Sequence, residues 1–195
     1  MNQQTKAPPE NVRSQWVQGV AEHLRRLAQD RGALAELRRG LGKEPAIVVG
    51  SVRRHVQRFM PADASRSVQD AVVVVATLFA SHPEFGVRDM GGVLHAIDPK
   101  NETGSVERRF MALLNADPED LPTHLRHAVS LAKSKGVNLD WAQLLSDLID
   151  LFGSQDWAVQ RVHRKWSRSF WATQVPSKSA AGEKTAAESS ETITD

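Results

Sequence analysis

The stretch Val68-Gln69-Asp70-Ala71-Val72-Val73-Val74-Val75-Ala76-Thr77-Leu78-Phe79-Ala80-Ser81-His82 decides the fold class. Its run of valines, Val72 to Val75, has strong strand propensity, because β-branched side chains fit a pleated surface better than a helical turn. Against that, Val68, Ala71, Val72, Val75 and Phe79 recur at helical intervals, and the run outlasts an ordinary strand. No other stretch offers a convincing strand partner or hairpin. The reading is a buried central helix, and with it an all-α chain.

Helical patterns extend from this stretch in both directions. Upstream, Trp16, Val20, Leu24 and Leu27 share one face. Asp30 is placed to cap a short helix through Leu37-Arg38-Arg39, with Gly40 at its C′ position. A third helix is expected from near Pro45 to Phe59, with Val48, Val52, Val56 and Phe59 inward and Pro61 stopping it. Downstream, residues 83–104 carry Gly and Pro with weak periodicity. They read as a linker, with room for a short helix near Met90–Ile97. Ser105 is expected to cap a helix whose inward residues are Val106, Phe110, Leu113 and Leu114. Pro122 opens the next, with Leu121, Leu125, Ala128, Val129 and Ala132 inward and Gly136 at its end. After Asn138, a helix turns Trp141, Leu144, Leu145, Leu148 and Phe152 inward and Asp140, Asp147 and Asp150 outward. The last helix runs from about Gln155 to Trp171. The organisation expected is a flexible arm over residues 1–10, an N-terminal helical lobe over 11–82, the linker region 83–104, a C-terminal helical lobe over 105–172 and a disordered tail over 173–195. That tail is dominated by Ser, Ala, Thr, Glu and Lys, and cannot bury enough apolar surface to offset its ordering entropy.

With 195 residues, 41% of them hydrophobic, the chain can bury a core. It has no Cys, which excludes disulfides and thiolate metal sites. The start is polar with Pro8-Pro9 and lacks the apolar segment of a secretory signal, and the longest apolar run is far too short for a bilayer. A cytoplasmic location without a membrane partner is expected. The net charge of +2 hides a segregation. Residues 1–60 hold 11 Lys/Arg against 5 Asp/Glu, residues 61–154 hold 8 against 13, and residues 155–172 hold 4 against 1. Basic charge at both ends of the helical part points to a polyanion more than the net charge does.

The last helix carries the clearest chemistry. Val159, Val162, Trp166 and Phe170 share a face, and Arg161, Arg164, Lys165 and Arg168 gather opposite. A cationic stripe on a rigid rod suits a phosphate backbone, since each neutralised phosphate releases a counterion. It equally suits a solvated face with cations near the helix C-terminus. Arg pairs recur at Arg25-Arg26, Arg38-Arg39, Arg53-Arg54 and Arg108-Arg109, and the planar guanidinium fork fits phosphate. Catalytic patterns are absent or weak. Gly40-Leu41-Gly42-Lys43 lacks the spacing of a phosphate loop and is followed by Glu44 where Ser or Thr should stand. His124 and His127 have no obvious third ligand and read as surface histidines. No catalytic residue, metal or cofactor is expected. Trp16, Trp141 and Trp166 fit apolar stripes, whereas Trp157 lies off its stripe and is the better candidate for contact with a base.

These residues carry a resemblance. Ser105-Val106-Glu107-Arg108-Arg109-Phe110-Met111-Ala112-Leu113-Leu114-Asn115-Ala116-Asp117 is similar to the signature helix of the CasB family. So are Leu121-Pro122-Thr123-His124-Leu125-Arg126-His127, Val137-Asn138-Leu139-Asp140-Trp141 and Leu144-Leu145 with Asp147-Leu148. Leu34 to Gly42, Ala76 to Ala80 and Arg164 to Trp171 fit the same pattern, in order, over about residues 12–172. CasB is the small subunit of the type I-E CRISPR Cascade complex, an antiviral defence assembly. The resemblance implies a two-lobed helical bundle of about eight or nine helices, with no catalysis and no cofactor. It implies a second copy of the chain as a partner, alongside the large and backbone Cascade subunits. It also implies that the chain holds guide RNA and target DNA and stabilises the displaced single-stranded DNA of the R-loop. Those contacts would be to phosphate and sugar, because pairing with the guide reads the sequence. Carried over by position, Arg38, Arg39, Arg108, Arg109 and Arg126 stand at basic positions of the family motifs, and Arg66 precedes the central helix where a basic residue fits. His127 stands where the family pattern has arginine, and free His is mostly uncharged near neutral pH. The competing reading is a helical adaptor. In it the Arg pairs meet acidic neighbours, nucleic-acid contact is incidental, and Asp140, Asp147 and Asp150 face the next copy.

Overall fold

The computed structural model describes residues 10–43 and 50–171. The arm before Glu10, the tail after Trp171 and the expected start of the third helix near Pro45 lie outside them. The described residues form nine α-helices and no sheet: α1 (Glu10–Leu27), α2 (Arg31–Arg38), α3 (Gly50–Val56), α4 (Arg66–Ser81), α5 (Met90–Ile97), α6 (Ser105–Leu114), α7 (Leu121–Ser134), α8 (Trp141–Leu151) and α9 (Asp156–Phe170). A 3-10 turn, Gln57–Phe59, follows α3. No described helix is long and apolar enough to cross a membrane.

The Val68–His82 stretch is helical, as its spacing predicts. Ser65 caps α4 by accepting from the Val68 amide, and every residue from Ala71 to Ala80 is buried. The magnitudes show why the helix tolerates its valines. Four valines in a helix cost up to about 0.7 kcal/mol each relative to alanine. Burying each of those side chains gains about 1.5–3 kcal/mol. Helix α4 supplies the centre of the core and packs against α2, α3, α7 and α8. The Phe79 ring meets Trp141 of α8 edge-on at 5.6 Å.

One apolar cluster extends from Val17 in α1 to Phe170 in α9. Residues 83–104, read from sequence as a linker with a short helix, hold that helix as α5, and it buries Met90, Val93 and Leu94 against α9, α6 and α7. Just before it the chain lies beside residues 137–141. The Gly86 amide donates to the Leu139 carbonyl at 2.8 Å, the Asp140 amide to that of Arg88 at 2.9 Å, and Trp141 Nε1 to that of Glu84 at 2.8 Å. Phe85 and Leu139 make a single parallel bridge.

Helix ends match the sequence in part. Asp30 caps α2 as expected, and Gly136 ends α7 with a φ of +65°. Ser105 is not the cap of α6. Gly104, in the left-handed conformation with φ +62°, holds that position, and Ser105 is the first helical residue. Gly40 stands at C′ of α2 as expected, and it also permits close packing. A Cβ there would lie 2.9 Å from Thr77 and 3.1 Å from Val52.

A buried histidine ties α1 to α3. His23 Nε2 donates to the His55 carbonyl at 2.8 Å, and its ring lies 4.3 Å from Phe59. Burial holds its pKa below the usual histidine value. The folded protein therefore keeps His23 neutral where the unfolded chain, titrating near about 6.5, takes up a proton. Stability should fall as pH drops through that value towards the lower folded one. Burial depresses His163 in the same direction. Urea midpoints for wild type and His23→Gln between pH 7.5 and 5 should converge in acid; parallel curves would refute the assignment.

Candidate nucleic-acid interface

The basic stripe of α9 divides once the helix is packed. Val162, Trp166 and Phe170 are buried as the apolar pattern requires, while Val159 is only partly buried and Ala158 is the buried residue of that turn. Lys165 forms an ion pair with Asp147, whose other oxygen accepts from Trp166 Nε1 at 2.7 Å, and Gln143 Nε2 adds a third donor at 3.0 Å. Arg161 Nη2 reaches Asp150 at 2.7 Å, and Arg13 Nη1 reaches the other oxygen of Asp150 at 2.7 Å. Arg13 also donates to the Ser146 carbonyl at 2.6 Å. Arg164 and Arg168 stay exposed and make no ion pair with a described residue.

This corrects the outward placement of the α8 acids. Asp147 and Asp150 are only 2% and 7% exposed, while Asp140 caps α8 by accepting from the Gln143 amide. The amphipathic reading of α8 fails because the helix is covered on both sides, by α4 across its apolar stripe and by α1 and α9 across its acids. Burial pushes the Asp147 carboxyl above the usual range, and Lys165, Trp166 and Gln143 pull it back. Two of the four expected stripe cations therefore join helices inside the molecule.

A second basic group gathers where α2 and α4 end. Arg38 Nε donates to the Ala80 carbonyl at 2.6 Å, and Lys133 Nζ of α7 donates to the adjacent Ser81 carbonyl at 2.8 Å. Both satisfy orphan carbonyls at the C-terminus of α4, where the helix dipole favours cations. A Cβ on Gly42, whose φ is +77°, would lie 2.6 Å from Arg126 Nη1, so this glycine turn admits the guanidinium beside the end of α2. Arg39 is the exposed C-cap of α2. The fold thus brings Arg38, Arg39 and Arg126 to one rim and adds Lys133, which sequence reasoning passed over. Its one signal was a position seven residues, about two turns, after Arg126 on the same helix.

The remaining candidates lie apart. Arg108 and Arg109 are exposed on α6 and pair with no described acid. Arg66 is 80% exposed at the start of α4 and reaches Asp70 at 3.4 Å. Among the other Arg pairs, Arg54 binds Glu36 at 2.5 Å, and His55 reaches the same carboxylate at 2.7 Å. The bonds from His55 and Arg54 hold the Glu36 carboxyl below its ordinary value. No group of three or more His, Cys, Asp or Glu among the described residues is arranged to hold a metal ion.

A family model described as CRISPR-associated protein Cse2 matches residues 33–171. The chain belongs to the Cse2 family. The Cse2 match takes in all the candidate nucleic-acid-binding residues, from Arg38 to Arg168, and begins after α1 with its Arg13. A curated relative, the CRISPR-associated protein Cse2 of Thermus thermophilus, is 31% identical over 142 residues, covering 71% of this chain and 78% of the relative. The crystal structure of CasB from Thermus thermophilus is similar with a TM-score of 0.69 and 28% identity, covering 80% of this chain and 98% of that one. A chain of a CRISPR RNA-guided surveillance complex, 21% identical, shares the Cse2 fold with a TM-score of 0.67, over 81% of this chain and 95% of that one. The resemblance to CasB carried by the sequence motifs and the Cse2 family match therefore agree: this is a Cse2/CasB protein of the type I-E Cascade family.

Proposed function

We propose that this Cse2 protein is a non-catalytic small subunit of an RNA-guided CRISPR surveillance complex. In this reading it works in the cytoplasm beside the large and backbone subunits and a second copy of itself. It holds the guide RNA–target DNA hybrid and stabilises the displaced non-target strand through phosphate and sugar contacts. The observation that carries the reading is the family match across residues 33–171. The exposed guanidinium groups support it. Arg39, Arg108, Arg109, Arg164 and Arg168 face solvent. Arg38 and Arg126 stand at one rim with donors beyond those already engaged, since a guanidinium carries five. Arg66 adds a weakly paired cation. Arg161 and Lys165 are better assigned to holding α9 in place, because each is tied to a buried carboxylate.

The adaptor alternative loses the acidic face it would use. Asp147 and Asp150 are buried against Lys165, Arg161 and Arg13 and are not available to a neighbouring copy.

The full-length chain should bind single-stranded DNA without sequence preference, and its affinity should fall steeply with salt. Arg108→Ala with Arg109→Ala should weaken binding to all sequences alike. It should also lower the slope of log K against log salt by about 0.7 for each phosphate no longer neutralised. Fluorescence anisotropy across a salt series reads both quantities. Affinity indifferent to salt would contradict the phosphate reading.

A further inference from the structure

The outer surface of α9 carries more than cations. At about 100° per residue, Trp157, Arg161, Arg164, Arg168 and Trp171 all fall within about 40° of one line along the helix. That line lies opposite the buried Trp166. It is about 20 Å long from the first tryptophan to the last. Trp157 is 62% exposed, an unusual position for the largest apolar side chain, whereas Trp171, 49% exposed at the other end, packs its ring edge-on against Phe170 and Phe110. The Arg161 guanidinium lies 5.3 Å from the centroid of the Trp157 ring while its Nη2 is held by Asp150. Asp150 is in turn held by Arg13 of α1. The indole is thus braced by an arginine whose own position is set by a buried carboxylate. Asp156 is the sole acid of the helix.

We infer that Trp157 is a stacking platform for an unpaired base of single-stranded nucleic acid whose phosphates lie along Arg164 and Arg168. The inference rests on the nucleic-acid reading above and adds to it an interaction that phosphate binding does not supply. An exposed indole offers a π face to any base, so the stacking is sequence-tolerant, and a base within a duplex cannot reach it. A braced ring loses less freedom on binding than a mobile one. An exposed indole beside a row of arginines favours a polyanion with aromatic bases over a second copy of this helix. In a two-fold contact the ribbon would meet itself and oppose arginine to arginine. Asp150 is a positioning residue in this arrangement, acting through Arg161.

The test compares full-length wild type with Trp157→Ala, Trp157→Phe and the pair Arg164→Ala/Arg168→Ala. Each is titrated with oligo-dT and with an abasic oligomer of equal length across a salt series. Trp157 is on the surface, and circular dichroism should show all variants folded. Trp157→Ala should lower oligo-dT affinity roughly tenfold, the size of one missing base–indole stack. It should leave the abasic oligomer and the salt slope unchanged, with Trp157→Phe in between. The arginine pair should instead lower the slope for both ligands. Unchanged oligo-dT affinity in Trp157→Ala would overturn the stacking inference, and an altered slope in the arginine pair would then leave the phosphate reading standing. An equal loss on both ligands, or a change in oligomeric state in sedimentation, would also overturn it, the latter in favour of an interface between copies.

Discussion

Trp166→Ala should lower the stability of the folded chain by about 3–5 kcal/mol, the range for removing a fully buried tryptophan. For a chain of this size that corresponds to a fall in Tm of roughly 6–20 °C. Two effects combine. The ring is 0% exposed in the core cluster, so its removal leaves a cavity under α9. Its Nε1 also donates to Asp147 Oδ2, so truncation takes one of three donors from a buried carboxyl. Trp166→Phe separates the two. It keeps most of the volume and loses the donor, and should cost about 1.5–3 kcal/mol, the worth of a hydrogen bond to a charged group. In an Asp147→Asn background the cost of Trp166→Phe should shrink, because a neutral acceptor is less costly to leave short of a donor. Chemical denaturation followed by circular dichroism measures all of these. A Trp166→Phe protein as stable as wild type would show that the indole nitrogen contributes only bulk.

The second large effect is expected at Gly91. Helices α5 and α9 cross closely enough there that an added Cβ would lie 2.7 Å from the Trp166 carbonyl carbon and closer still to its oxygen. The obstruction is backbone, which cannot rotate aside. Alanine is intrinsically the better helix residue by about 1 kcal/mol. Even so, Gly91→Ala should destabilise by at least the roughly 1–3 kcal/mol typical of overpacking, and Gly91→Val by more. Gly19, in the middle of α1, is the control. It has nothing within 4 Å of its would-be Cβ, so Gly19→Ala should gain about 0.5–1 kcal/mol. Opposite signs at these two glycines, in the same assay, would confirm that the α5–α9 crossing is set by the missing side chain. A stabilised Gly91→Ala would contradict the described packing.

The elements were legible where one physical pattern dominated. Helix α4 could be read through its valine tract because the apolar spacing continued beyond the tract on both sides. Asp30 and Gly136 could be placed because their side-chain chemistry and backbone freedom act within a few residues. Ser105, expected as the cap of α6, is instead its first helical residue. Gly104 takes that place by adopting a left-handed φ, and the packing of Gly40 against Thr77 and Val52 was hidden because both are distant in sequence.

The same limit governed the candidate interface. Sequence spacing put Asp147 and Asp150 opposite the apolar stripe of α8 but could not say that two helices cover that side. With α1 and α9 in place, Arg13, Arg161 and Lys165 become the partners of those acids. What looked like a uniform stripe on α9 is thereby divided into two cations that hold the helix and two, Arg164 and Arg168, that face solvent. The rim of Arg38, Arg126 and Lys133 was equally hidden, because it depends on carbonyls at the end of α4 meeting side chains from α2 and α7. Motif order identified the family, since it needs only residue types in sequence.

As proposed above, this Cse2 chain would act as a nucleic-acid-holding subunit of an RNA-guided complex. The most direct measurement is affinity purification of the full-length chain, co-expressed with the other subunits of such a complex and a guide RNA, followed by native mass spectrometry and nuclease protection. The chain should be retained in a particle containing the guide RNA and helical partner subunits, and the displaced strand of a bound target should be less protected when Arg108 and Arg109 are both replaced by alanine. A chain purified alone under conditions where the other subunits and guide RNA assemble without it, with equal protection of the displaced strand, would contradict it.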